Sequence, residues 1–342
     1  IMKLSKSMAR FSRASTFALM ALGSGLFATS ALAQDPIVLK YSVVFPPNGA
    51  QGAGAAQLEI FVEEFSGGAL DFQFFPSAQL GDKLQSLEGL RNGSIEMSES
   101  SAADLGNYSD LWDIFSLPFL FNNGADAVRV ITDPRVAEIL DADAEANGFK
   151  IIGWWNLGER SVINSVRPVV TPDDLDGIKI RVMQNPMLAK AITAMGATGI
   201  PMAWSEVYTA VQQGTIDGLE NSPPVISSNK MYEVANFYSM TQQFIIPDPQ
   251  MISLIVFNAL SAKNQEAVLK AGKASQEDFN TKWDNAMETE MAFLVENGVK
   301  VNEVDKAAFR AAVAPLVSEF LSSATPETKA LYDAIVLVRD GS

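Results

Sequence analysis

Apolar and polar positions along this chain switch between a period near two and a period near 3.6, and most segments carry their own stop signal. Ile37 to Val44 is a β-branched run that predicts a buried strand, halted by Pro46-Pro47-Asn48-Gly49. Ala55 to Phe65 is amphipathic with a helical period and ends at Gly67-Gly68. Leu70 to Phe75 predicts a second strand, closed by Pro76, and Asp82 is placed to cap a helix reaching Asn92, with Gly93 as its C-terminal stop. Ile95 to Met97 predicts a short strand. Asn122 to Asn147 reads as helix broken at Pro134, Phe149 to Trp155 as a strand, and Arg160 to Ile163 as extended chain.

Thr171-Pro172-Asp173-Asp174 joins a cap, a first-turn proline and two acids at the positive end of a short helix. Ile178 to Val182 predicts a strand, and Asn185-Pro186 opens a helix ending at Gly196. Thr198 to Pro201 predicts another short strand, Ser205 the cap of a helix ending at Gly214, and Met251 to Phe257 a further strand. From Ser261 to Asn297 the chain is mostly helical, with Phe279, Trp283, Met287 and Met291 recurring every four residues along one face. Strands alternating with helices predict an α/β fold with largely parallel pairing. Leu90 to Glu96 and Val211 to Asp217 share a helix–Gly–x–Ile–acid pattern, which suggests two lobes with comparable strand–helix–strand units.

Composition narrows the function. Lys3, Lys6, Arg10 and Arg13 precede the mostly apolar Ala14 to Ala28, and Ala31-Leu32-Ala33 supplies a small-residue cleavage site. Residues 1–33 therefore read as a signal peptide cleaved near Ala33/Gln34, and a periplasmic location is expected. The leader holds four basic residues and no acid. Without it, 21 Lys and Arg face 40 Asp and Glu, and the formal charge falls from −15 to −19. Nucleic acid is excluded as a partner, since no basic stripe exists to meet phosphates. An anionic solute gains nothing from long-range steering, so any attraction must be local. There is no His and no Cys, which removes the commonest general base, the commonest metal ligand and every thiolate site. Asp141 and Asp143 resemble the start of a calcium loop, but the sixth loop position is Ala146 and no glycine comes until Gly148 in Asn147-Gly148. No metal and no cofactor are expected.

The candidate chemistry gathers on strand ends, where α/β folds bind small ligands. Arg181 stands where the apolar strand Gly177-Ile178-Lys179-Ile180-Arg181-Val182 meets its loop, and a guanidinium there suits bidentate capture of a carboxylate. Arg160 follows Gly158-Glu159, with an ion pair to Glu159 as the alternative to a ligand role. Trp204 begins a helix, where it can cover a crevice or pack between lobes. Asn221 sits on what reads as an irregular segment before Ser222-Pro223-Pro224. Glu99 and Ser101 follow a strand, and Asn48 follows the first strand; each reads equally as solvated loop.

Taken in series, these segments resemble the substrate-binding proteins of TRAP (tripartite ATP-independent periplasmic) transporters of the DctP type. The likeness is carried by Phe75-Pro76-Ser77-Ala78-Gln79-Leu80-Gly81, Leu117-Pro118-Phe119-Leu120-Phe121, Gly153-Trp154-Trp155, Arg167-Pro168, Gly177 to Val182, Pro201 to Tyr208 and Asp217 to Asn221. It implies a two-lobe periplasmic-binding-protein-like fold, type II-like, with a long helix spanning both lobes. Lobe I would comprise 34–157 plus about 250–290, and lobe II 158–249 plus about 291–342. The carboxylate-binding arginine of the resemblance falls on Arg181, a second binding arginine on Arg160, the pocket asparagine on Asn221 and the pocket aromatic on Trp204; Asn48 and Ser101 match pocket positions loosely. Trp204 and Glu99 depart from the commoner Phe and apolar residues, which leaves the solute class open. The implied function is capture of a small organic acid or zwitterionic solute and its delivery to the integral membrane subunits of a TRAP transporter. A periplasmic enzyme on the same fold and a sensory solute-binding protein are the alternatives.

Overall fold

The computed structural model describes residues 35–341, so the leader expected over residues 1–33 lies outside the described residues. The strands are β1 Ile37–Ser42, β2 Leu70–Phe75, β3 Met97–Glu99, β4 Phe149–Trp155, β5 Arg160–Asn164, β6 Lys179–Val182, β7 Thr198–Pro201, β8 Gly218–Asn221, β9 Phe237–Phe244, β10 Asp248–Ser253 and β11 Lys300–Asn302. They form two sheets, one in the order β2-β1-β3-β10-β4 and the other β11-β9-β5-β8-β6-β7. The α/β class and the two-lobe plan hold.

The expected largely parallel pairing holds for five of the nine strand pairings among the described residues, and both sheets are mixed. β10 runs antiparallel to both β3 and β4, and β5 antiparallel to both β8 and β9. The chain passes from the first sheet to the second between β4 and β5 and returns between β9 and β10. Each return inserts a strand that runs against its neighbours.

Several local expectations shift for identifiable reasons. The first helix begins at Gly49 rather than Ala55, and the third strand is Met97–Glu99 rather than residues 95–97. The strand expected over residues 251–257 ends at Ser253, whose hydroxyl accepts from Val256 N and caps the helix Leu254–Ala259. Asn221 ends β8 rather than lying on an irregular segment. β9 escaped detection because its most buried side chains are polar: Ser239, Thr241 and Gln243 are fully buried. The Ser239 and Thr241 hydroxyls are used locally. Val162 N donates to Thr241 Oγ1 at 3.0 Å where the β5–β9 register shifts, and Val169 N donates to Ser239 Oγ at 3.0 Å.

The helix Ala262–Glu296 has 35 residues and so runs for about 52 Å. Its Phe279 stacks on Trp155 at a centroid distance of 4.1 Å and, with Trp283, joins the core beneath the first sheet. Farther along, Leu294 enters the core of the second sheet beside Ile163, Leu219 and Tyr238. One continuous helix thus serves both halves. The two helices Lys306–Ser323 and Pro326–Arg339 follow, the latter packed on helices Gly124–Ile131 and Pro134–Ala146.

The long helix meets β4 backbone to backbone. A Cβ added at Gly272 would lie 2.2 Å from Ile152 O, and one at Gly153 would lie 2.5 Å from Gly272 O. Gly272→Ala is therefore expected to lower unfolding stability by roughly 1–3 kcal/mol through overpacking, although alanine favours a helix interior. Urea denaturation reads this directly; an unchanged or raised midpoint would contradict the close approach.

Candidate functional site

The two crossings between sheets run side by side. Asp248 pairs with Trp155 at the first-sheet end, and Arg160 with Phe244 at the second-sheet end. The long helix grips the β4 end of one crossing: Trp154 N donates to Gln276 Oε1 at 3.0 Å, and Asn156 N to Asn280 Oδ1 at 2.7 Å. Above the crossings lies a cleft between the two halves. The first half contributes Phe45, Gln51, Asp82, Lys83, Ser101 and Asp104 to its walls, and the crossings contribute Leu157, Arg160 and Asp248. The second half contributes Arg181, Met183, Trp204 and Asn221.

Arg181 is 3% exposed and makes no ion pair among the described residues. Its Nε and Nη2 donate to Met202 O at 2.9 and 2.7 Å, and its guanidinium carbon lies 5.2 Å from the Trp204 ring centroid. Burial disfavours its charge and draws its pKa down to about 10; Glu220, Asp104 and Asp82 oppose that shift from beyond ion-pair distance, and the Arg160 charge adds to it. A buried cation lining a cleft without a counter-ion is electrostatically incomplete.

Arg160 is the contrasting case. β8 lies between β5 and β6, and its Glu220 turns wholly to Arg160. Arg160 Nε donates to Glu220 Oε2 at 2.6 Å, and Nη2 donates to Oε1 at 3.0 Å and to Glu220 O at 3.1 Å. The expected alternative partner, Glu159, instead accepts from Gly124 N at 3.2 Å. The pair offsets the burial of both groups and leaves Arg160 only its remaining edge toward the cleft.

The first half brings charges that sequence reasoning missed. Lys83 Nζ stands 3.3 Å from Glu99 Oε1, 3.7 Å from Asp248 Oδ2 and 3.9 Å from Asp104 Oδ2. Burial alone would lower the Lys83 pKa, but the three carboxylates outweigh it and raise it above the ordinary range. Burial raises the carboxyl pKa of Asp104, and that of Asp248 well above the usual value, with Lys83 opposing in both cases. Asp104 Oδ2 also accepts from Ser100 Oγ and Ser101 N. Lys83 opens the helix that Asp82 caps and Asp248 stands between Pro247 and Pro249, so neither carries a local signal of a site.

Of the expected residues, Arg181, Arg160, Asn221, Trp204 and Ser101 converge on the cleft. Asn221 Oδ1 accepts from Ser222 N at 2.9 Å, and Trp204 Nε1 donates to Asn229 Oδ1 at 3.3 Å. Glu99 sits behind the wall, fully buried against Lys83, and Asn48 is exposed outside the lining. Ser205 does not cap the helix Val207–Gln212. Its N and Oγ donate across the cleft mouth to Asp82 Oδ2 at 3.1 and 2.7 Å. Asn107 Nδ2 to Gln184 O and Asn185 Nδ2 to Ala103 O, at 2.9 and 2.8 Å, bridge the same two halves. The cleft is closed over its charged lining.

Residues 41–323 match the family described as bacterial extracellular solute-binding protein, family 7. The chain is 32% identical over 327 residues to the 2,3-diketo-L-gulonate-binding periplasmic protein YiaO of Escherichia coli, covering 94% of this chain and 98% of that one. Among solved structures it is similar to a TRAP periplasmic solute binding protein from Chromohalobacter salexigens with bound D-glucuronate, with a TM-score of 0.84, 29% identity and coverage of 89% and 100%. It is also similar to the sugar acid binding protein DctPAm from Advenella mimigardefordensis in complex with galactonate, with a TM-score of 0.85, 28% identity and coverage of 89% and 99%.

The two arginines should differ in what they do for stability. Arg160→Met strands the buried Glu220 carboxylate and is expected to cost about 3–5 kcal/mol of unfolding free energy. In the solute-free protein Arg181→Met removes a buried charge that has no carboxylate partner, and should leave stability within about 1 kcal/mol or raise it. Urea denaturation of both variants checks this; equal losses would show that Arg181 is also a structural ion.

Proposed function

This chain belongs to bacterial extracellular solute-binding protein family 7, and on that premise we propose that it captures a small hydroxylated organic acid by seating the acid's carboxylate on Arg181 as the lobes close. It is a solute receptor of the TRAP type, not an enzyme, and delivers small organic acids to TRAP membrane subunits. The family is extracytoplasmic, and among the described residues no helix is long and apolar enough to cross a membrane. We further propose that residues 1–33 are the export signal, removed near Ala33/Gln34.

The observation that carries the binding reading is the Arg181 guanidinium: buried, lining the cleft and, among the described residues, within ion-pair distance of no acid. A carboxylate laid on it regains the charge-assisted hydrogen bonds that burial denied, in a site from which closure excludes water. The remaining edge of Arg160 and the Asn221 amide take further solute oxygens, and Trp204 packs on the carbon skeleton. Ser101 contributes a hydroxyl. Glu99 acts only through Lys83, and Asn48 is left out of the proposed contacts. The Asp82–Ser205 bridge and its companions hold the closed state, so a solute that favours closure shifts the population toward the form suited to the membrane subunits. Sugar acids bound by the similar structures from Chromohalobacter salexigens and Advenella mimigardefordensis support a hydroxy acid as the solute class.

Arg181→Met should weaken binding of D-glucuronate or D-galactonate by at least about 100-fold, the loss of hydrogen bonds to a charged group. Isothermal titration measures it, and undiminished affinity in the variant would remove Arg181 from the site. Intact mass of the exported protein should correspond to a chain beginning at Gln34; a full-length mass would overturn the cleavage proposal.

A further inference from the structure

We propose that Lys83, Asp104 and Asp248 form a charge filter for the part of the solute remote from its carboxylate, admitting hydroxyl groups and rejecting a second carboxylate. The receptor then selects monocarboxylic hydroxy acids against dicarboxylic acids of the same carbon skeleton. This rests on the reading that Arg181 takes the first carboxylate.

The charges of the cleft are divided between its halves. The second half presents Arg181, which makes no direct ion pair among the described residues, while the first half and the returning strand present Lys83, Asp104 and Asp248. Behind these, Glu99 adds a third carboxylate around the one ammonium, at 3.3 Å. Arg160 does not redress the balance, because its charge is matched by Glu220. A second carboxylate entering here would lose its water and meet like charge at close range, a juxtaposition that costs several kcal/mol at a desolvated site.

Hydroxyl groups fit the same surface. Carboxylate oxygens accept from them, and the lysine ammonium donates to them. An independent sign that a polar group is expected comes from Ser101, which lines the cleft, is 1% exposed, and whose Oγ has no hydrogen-bond partner among the described residues. Buried hydroxyls are ordinarily satisfied, so a solute hydroxyl completes this one. Lys83 also fills the centre of the acid group, and among the described residues no cluster of acids is arranged to hold a metal ion.

Matched pairs of acids test the filter by isothermal titration: D-galactonate against galactarate, and D-erythronate against meso-tartrate. Within each pair only a terminal hydroxymethyl group is exchanged for a carboxylate. The wild-type receptor is expected to prefer the monocarboxylate by about 100-fold or more. Asp104→Asn and Asp248→Asn, singly and together, should narrow that ratio by roughly tenfold through tighter binding of the dicarboxylate. Equal affinity within the pairs in the wild type, or an unchanged ratio in variants that still bind the monocarboxylate, overturns the filter while leaving the Arg181 reading intact. Should either variant fail to fold, the wild-type ratio decides alone. If the wild type binds no member of either pair, the Arg181 reading and the filter fall together.

Discussion

Glu220 pairs with Arg160, and everything at the cleft follows from that choice. It stands on β8, the strand between the two arginine-bearing strands, and its carboxylate can satisfy only one of them. With both its oxygens engaged by Arg160 at 2.6 and 3.0 Å, Arg181 is left buried with a backbone carbonyl and an indole face for company. Burying a charge without a partner opposes folding. A site kept in that condition is preorganised for an anion, because the desolvation cost is met before the solute arrives.

The architecture places this charge where motion and closure meet. Two adjacent extended crossings join the sheets, and Arg160 and Asp248 stand at opposite ends of them. Side chains of the long helix hold the β4 end of one crossing, and the helix itself supplies packing to both cores. The crossings thus link the halves through two short, buried segments with fixed ends, an arrangement suited to hinge closure. The bridges at the cleft mouth from Ser205 N and Oγ to Asp82 Oδ2 are exposed and polar. Bonds of that kind exchange readily with water, so the solute can govern whether the halves stay together.

Long-range and local electrostatics pull in opposite directions here. The chain carries a formal charge of −15, which repels an anionic solute at a distance. Screening removes that field within about 8 Å at physiological salt, while a guanidinium in a closed, low-dielectric cleft acts at full strength on contact. The partition of charge between the cleft halves refines this further: one wall offers the cation, and the other an ammonium surrounded by acids.

Much of the fold was legible along the chain, because strand and helix periods and their glycine and proline stops are local properties. The α/β class, the long helix and the first-sheet strands followed from them. β9 did not, because Ser239, Thr241 and Gln243 occupy its buried side and invert the usual pattern. The antiparallel strands did not either, because pairing direction depends on where the chain crosses between sheets. At the site, Arg181, Trp204 and Asn221 could be named from motif and strand-end position. Lys83, Asp104 and Asp248 could not, since 165 residues separate Lys83 from Asp248 and nothing local marks them as neighbours. The sequence by itself determined most of the segments that form elements and that an arginine lies near the end of an apolar strand. Only tertiary structure decided which arginine Glu220 would neutralise, because charge pairing depends on distance in space, and β8 enters between β5 and β6 only when the sheet is assembled.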